Sequence, residues 1–285
     1  MSEPICTTPA TGWQARLTLD FRRDAGRTVL ARCAHQGPLR VQRSFYPEGQ
    51  SLCHVALLHP PGGVVGGDEL RIDAILDPGS HALITTPAAG KFYRSAGPWA
   101  LQSQRLTVAA DAALEWLPQE TIVYDGARVH ALTRVELQGN ARFLGWEIVC
   151  LGRPAAGERF TNGCYRQDFE LWRDGEPLYL ERGRYDGGVP VLNAAWGLQS
   201  QPVFATLVCA GSPPGAVDGI RFSWEELKAT RGGELATATQ LDGALICRYL
   251  GPSAMRARRF FVLAWGLLRP ALLGRPPCPS RFWAT

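Results

Sequence analysis

Between Trp13 and Leu137 the chain is written in short apolar runs, each closed by Gly, Pro or Asp before a helical period can build up. Trp13, Ala15, Leu17, Leu19 and Phe21 fall on one face, the period-two signature of a half-buried strand. Residues 28–33, 39–43, 52–58, 70–76, 81–86, 101–108, 113–117 and 129–137 continue in strand-sized pieces. This pattern predicts a mostly β fold: one large domain over 1–285, its many short strands mainly antiparallel and arranged in stacked sheets. A few helices are expected towards the C-terminus, and residues up to about 11 read as a flexible start. No repeat of fixed period is visible, so a solenoid does not follow.

One loop stands out, V-A-L-L-H-P-P-G-G-V-V-G-G-D-E-L at 55–70. Pro60 and Pro61 fix φ and remove two donors, while Gly62-Gly63 and Gly66-Gly67 allow positive φ or close backbone approach. It is not a phosphate cradle, because the following E-L-R-I-D-A-I-L alternates as a strand and no G-x-x-x-x-G-K-[ST] occurs.

A net charge of +4, spread without a basic block, gives no reason to expect nucleic acid as a partner. Nothing at the start resembles a signal peptide, and the most apolar stretch, 260–268, is too short to span a bilayer. A soluble, cytoplasmic protein is expected, with its eight scattered cysteines reduced and mostly in the core.

Residues 143–151 are apolar on both strand faces, as in a strand covered from two sides. Glu147 on this strand is therefore expected to be buried, with a cation, a donor network or a raised pKa to compensate; the ordinary solution is an arginine partner. Asp174-Gly175 predicts a hairpin returning through 178–185, with Glu181 on the face of Tyr179. Ser223 with Glu226 reads as a capping box opening a helix at 223–229, and 241–250 reads as one strand. A helix follows from Ser253, which Pro270 should break or kink. Phe282 and Trp283 suggest that the proline-rich ending docks on the body.

The search for catalytic chemistry finds no G-x-S-x-G elbow, no H-E-x-x-H and no C-x-x-C, and each of the five histidines reads as structural. What remains is a set of carboxylates in unusual settings, Asp68, Glu120, Glu147 and Glu181. Oxygen ligands without a His/Cys cage suit a weakly held divalent cation. Read this way the chain could still be a metal-dependent hydrolase or a small-ligand-binding β module.

Longer motifs favour another class. H-P-P-G-G-V-V-G-G-D-E-L at 59–70, T-T-P-A-A-G-K-F-Y-R-S at 85–95 and E-W-L-P-Q-E-T-I-V-Y-D-G-A at 115–127 resemble successive signatures of the UreD/UreH urease accessory proteins. So do G-W-E-I-V-C-L-G-R-P-A-A-G-E-R-F at 145–160 and V-L-A-R-C-A-H-Q-G-P-L-R-V-Q-R-S-F-Y-P-E-G at 29–49, and R-F-W-A-T resembles the family's ending. Order and spacing hold over nearly the whole chain; Ala88-Ala89-Gly90 and the segment 222–233 are the departures.

The resemblance implies a cytoplasmic, non-catalytic maturation factor with no tightly bound cofactor. It implies binding to apo-urease, to UreF and through UreF to the GTPase UreG, in a complex that delivers nickel and CO2. An internal route for nickel, proposed for the family, would give Asp68, Glu147, Glu181 and Glu120 a role as weak transit sites. Phe260, Phe261, Trp265 and Leu268, with Phe282 and Trp283, are more aromatic than a short tail needs. They are expected to contribute to the UreF interface, against the alternative of self-packing on the β body.

Overall fold

The computed structural model describes residues 12–227 and 233–283. In chain order its first strands are β1 (Gln14–Asp24), β2 (Arg27–Gln36), β3 (Arg40–Val41), β4 (Cys53–Leu58), β5 (Glu69–Leu76) and β6 (His81–Thr85). They continue as β7 (Gly90–Phe92), β8 (Ala100–Val108), β9 (Ala113–Leu117), β10 (Thr121–Val123), β11 (Arg128–Leu137) and β12 (Arg142–Leu151). Next come β13 (Cys164–Arg173), β14 (Glu176–Asp186), β15 (Val203–Ala210) and helix α1 (Ala216–Leu227). Strands β16 (Leu235–Leu241) and β17 (Ala244–Gly251) lead into helix α2 (Ala254–Leu273). The start before residue 12, expected to be flexible, lies outside the described residues.

Two mixed sheets result. The first runs β14-β13-β11-β8-β5-β1-β2, with β1, β5, β8, β11 and β13 mutually parallel and only β2 and β14 antiparallel. The second runs β16-β17-β15-β12-β9-β6-β4-β3, parallel from β4 to β12, with β7 and β10 added beside β12. From β5 to β13 the chain passes from one sheet to the other and back, so the strands wind as coils of a solenoid. This corrects the expectation of a mainly antiparallel body, and it supplies the solenoid-like winding that no repeat of fixed period announced. Alternating hydrophobicity reports that a strand is half-buried, not the direction of its neighbours. The coils also have no constant length: Ala15, Leu70, Gln102, Ala131 and Gln167 share one register line yet are unevenly spaced in sequence.

The inward faces of both sheets form one core, in which Leu17, Leu19 and Phe21 meet Trp116 and Phe143. The outward face of the second sheet forms another, where Leu144, Trp146, Ile148 and Cys150 pack under α1 and α2. That double cover explains why residues 143–151 are apolar on both faces. Every described cysteine is a free thiol, most of them buried.

Local readings diverge at four places. Trp13 precedes β1 and is exposed, whereas Ala15 to Phe21 keep the buried alternation. Helix α1 begins at Ala216, so Ser223 lies inside it, and position 229 lies outside the described residues. The span 241–250 is the end of β16, a turn at Asp242-Gly243, and β17. Ser253 does cap α2, its hydroxyl accepting from the Arg256 amide, but the helix runs through Pro270 for one more turn. Buried Leu268, Arg269 and Leu273 anchor that turn, and left-handed Gly274 closes it by donating to the Pro270 carbonyl at 3.0 Å.

Candidate functional site

Between the sheets lies a cavity of about 460 Å³. Leu70, Ile72, Gln102 and Tyr165 line it from the first sheet, and Trp116, Glu147 and Val149 from the second. One rim is the glycine loop, from His59 through Pro60, Gly62 and Gly63 to Val64. The loop is pinned rather than open: Val64 donates to the Lys91 carbonyl at 2.8 Å and accepts from Tyr93 at 2.9 Å. At Gly63 a Cβ would stand 2.0 Å from the Tyr93 ring, so only glycine lets the loop lie against it. Gly62 takes φ +79° and donates back to His59, closing the turn after the prolines.

Glu147 reaches from β12 across the interior to the opposite sheet. Its carboxylate is bonded by the Thr133 hydroxyl of β11 and the Gln167 amide of β13. Glu147 is half-buried and lines the cavity. Burial pushes its pKa up to about 7; the Thr133 and Gln167 donors pull the other way and the Glu181 charge adds to the rise. A donor network and a raised pKa therefore compensate this carboxylate, and the arginine partner is not among its contacts.

The other three carboxylates sit elsewhere. Asp68 is buried at the stem of the glycine loop, where it accepts the amides of Trp13 at 2.8 Å and Val65 at 3.0 Å. It stands with the backbone as a turn-stabilising acceptor and is not among the cavity-lining residues. Glu120 pairs with Arg258 of α2. Glu181 accepts from Tyr179 Oη at 2.9 Å and from Arg248 at 2.7 Å, close enough for its charge to raise Glu147 and Tyr179. The four do not converge on one point, and the described residues contain no group of three His, Cys, Asp or Glu side chains placed to hold a metal ion.

A donor network was among the expected solutions for Glu147, but its members were not identified, although their signal is present. Gln104, Thr133 and Gln167 each occupy an inward position, two residues before Leu106, Val135 and Phe169 of the same core. A polar residue on the apolar parity of three neighbouring strands marks a polar spot inside the solenoid.

A second buried cluster was also missed. Arg269, fully buried on α2, forks onto Glu115 of β9 at 2.9 and 3.1 Å and onto Glu48 at 2.7 Å with both terminal nitrogens. Trp265 Nε1 donates to Glu115 at 2.7 Å, His81 meets Glu115 at 3.1 Å, and His54 meets Glu48 at 2.9 Å. Burial alone would raise Glu115, but the His81 hydrogen bond and the Arg269 charge hold it below the usual carboxylate range. Burial likewise depresses His81, so the permanent cation is Arg269 and the imidazole serves as a neutral donor. This cluster fastens α2 to the β body, and the histidines in it are structural, as expected.

The aromatic C-terminal residues take the self-packing alternative. Phe260, Phe261, Trp265 and Leu268 are fully buried against the second sheet, which corrects the expectation that they offer a partner surface. Half-buried Trp283 meets Trp265 edge-on and Trp146 at a tilt, and Gln119 donates to the Phe282 carbonyl at 2.8 Å. No helix among the described residues is long and apolar enough to cross a membrane.

Fold and site define a two-sheet β solenoid backed by helices, with a chamber between its sheets that holds a single shielded carboxylate. The chain belongs to the UreD urease accessory protein family, whose model matches residues 14–284. It is 48% identical to urease accessory protein UreD of Azoarcus sp. (strain BH72), over 96% of this chain and 95% of that protein. The UreD of Pseudomonas fluorescens (strain Pf-5) is 45% identical over the full length of both. That of Klebsiella aerogenes is 44% identical over 96% of this chain and 97% of its own.

Proposed function

We propose that the protein is a non-catalytic factor in urease maturation. In this reading it acts in the cytoplasm, holds apo-urease and joins UreF and, through UreF, the GTPase UreG. Nickel bound for the enzyme is cargo that passes through the interior chamber without being retained. The observation that carries the reading is Glu147, which faces the chamber with neutral donors and no permanent cation. A carboxylate in that state can meet a divalent ion and release it, because no His/Cys cage holds the ion there. Asp68 and Glu120 are already engaged by backbone amides and by Arg258, so they are the weaker candidates; Glu181 stands second to Glu147.

The test pairs two readouts for Glu147→Gln and Glu147→Ala: copurification of the UreF–UreG–urease complex, and nickel per urease active site. Intact complexes with a severalfold loss of nickel are expected. Intact complexes that yield fully loaded urease would remove the transit role from Glu147.

A further inference from the structure

The outer face of the first sheet carries no helix among the described residues. A groove of about 560 Å³ crosses it over β2, β1, β5 and β8, lined among others by Arg16, Arg32, His35, Asp73, Ile75 and Arg105. Two arginines are weakly engaged: Arg16 lies 3.4 Å from Asp73 and Arg32 lies 3.7 Å from Asp20, and their side chains remain 61% and 64% exposed. Arg105, exposed on β8, has no hydrogen-bond or ion-pair partner among the described residues. Three guanidinium groups therefore face two carboxylates, Asp73 in the lining and Asp20 beside Arg32, which leaves the groove with an excess of positive charge centred on Arg105.

The groove opens onto a sheet edge that is free among the described residues. Strand β2 ends the first sheet, and along 31–36 all residues but half-buried Ala34 are exposed. Among the described residues, the backbone bond that β2 makes outside the β1 ladder is Thr28 donating to Gln50 at 2.9 Å, near the far end of the strand. Unpaired edge backbone is a template for an added strand. A second copy of this chain joined edge to edge would bring the arginines of both copies together, and like charge opposes that pairing. The same charge favours an acidic visitor.

We propose that the β2 edge and the adjoining arginine groove dock an extended acidic segment of a protein partner. The segment adds as a strand beside β2, setting carboxylates against Arg32 and Arg16, and its flank crosses the groove towards Arg105.

The test uses the full chain with a fluorescein-labelled peptide of alternating Glu and Thr, and a Lys/Thr twin as control. Anisotropy should show binding of the Glu peptide alone, weakening as salt is raised. Arg32→Glu combined with Arg105→Glu should lower affinity on the order of tenfold. Both side chains are exposed, so an unchanged melting temperature is expected to accompany that loss. Hydrogen exchange at residues 31–36 should be fast in the free protein and slow in the complex. Equal binding of the two peptides, an affinity untouched by the double substitution, or edge amides that stay fast would each overturn the proposal. Edge amides already protected without peptide would also overturn it, since the edge would then be covered by the chain itself or by a second copy.

Discussion

Glu147 and Glu115 are both interior carboxylates on the second sheet, and they are compensated in opposite ways. Glu115 lies between α2 and the sheet with the Arg269 fork, Trp265 and His81 around it. Glu147 projects to the other side, into the space between the sheets, where it meets only a hydroxyl and an amide. A permanent cation locks the first in its ionised form and makes it part of the frame. Neutral donors leave the second near the point where it gains or loses a proton, with its pKa pushed up to about 7 by burial. An interior carboxylate is therefore a structural member when its partner is a fixed charge, and a candidate for exchange when its partners are neutral.

The largest expected effect comes from breaking the fixed-charge side. Arg269→Ala would leave Glu115 and Glu48 in the interior without their permanent cation, with only Trp265, His81 and His54 as partners, at a cost of about 3–5 kcal/mol. Burial pushes Glu48 up, yet hydrogen bonds from His54 and Arg269 and the guanidinium charge pull it to about 2. Without Arg269, α2 should loosen from the β body, seen as a large fall in melting temperature or loss of soluble protein. A variant melting within a few degrees of the parent would show that the cluster is not what fastens the helix.

Glu147→Gln should act on the other side, and its effect depends on pH. In the parent, Glu147 has a folded pKa near 7, above its unfolded value of 4.5, so the folded state binds the extra proton between those limits. The associated stability is fully present below pH 4.5 and is lost as pH rises through 7, a change of up to about 3 kcal/mol. The Glu48 contribution has the opposite sign: it is present above pH 4.5 and lost as pH falls towards 2. Denaturant midpoints at pH 5 and pH 8 separate the two. The parent should lose more stability between these values than Glu147→Gln does, and equal losses would place Glu147 in contact with bulk water.

How far this contrast was legible from sequence follows from what each signal encodes. The strand face around Phe143 and Val149 showed that Glu147 needed compensation, because burial is written in local alternation. Which compensation it received depends on β11 and β13, brought alongside by coils of unequal length that no sequence period announces. The Glu115 cluster was hidden for the same reason, since Glu48 and Arg269 meet across most of the chain. A hint remained in Arg269 standing four residues after Trp265 on the apolar stripe of α2, where a lone cation implies a buried anion opposite. The aromatic tail misled because an apolar helix face looks the same whether a partner or the chain's own sheet covers it.

The smallest expected effect tests whether Glu181 belongs to the exchange side or to the frame. Glu181 is held by Arg248 and Tyr179, which resembles the fixed-charge solution, yet its negative charge also raises Glu147. Glu181→Gln removes that charge and frees some of the Arg248 cation to act on the interior. Both changes favour ionised Glu147, so its titration midpoint should move down from about 7. Carboxyl carbon shifts of selectively labelled Glu147 would follow the midpoint directly. A downward move with an unchanged melting temperature would make Glu181 part of the field that keeps Glu147 poised for exchange. An unmoved midpoint with a lower melting temperature would instead place Glu181 with Glu115 and Glu48, as a carboxylate whose work is to fasten one element of the frame to another.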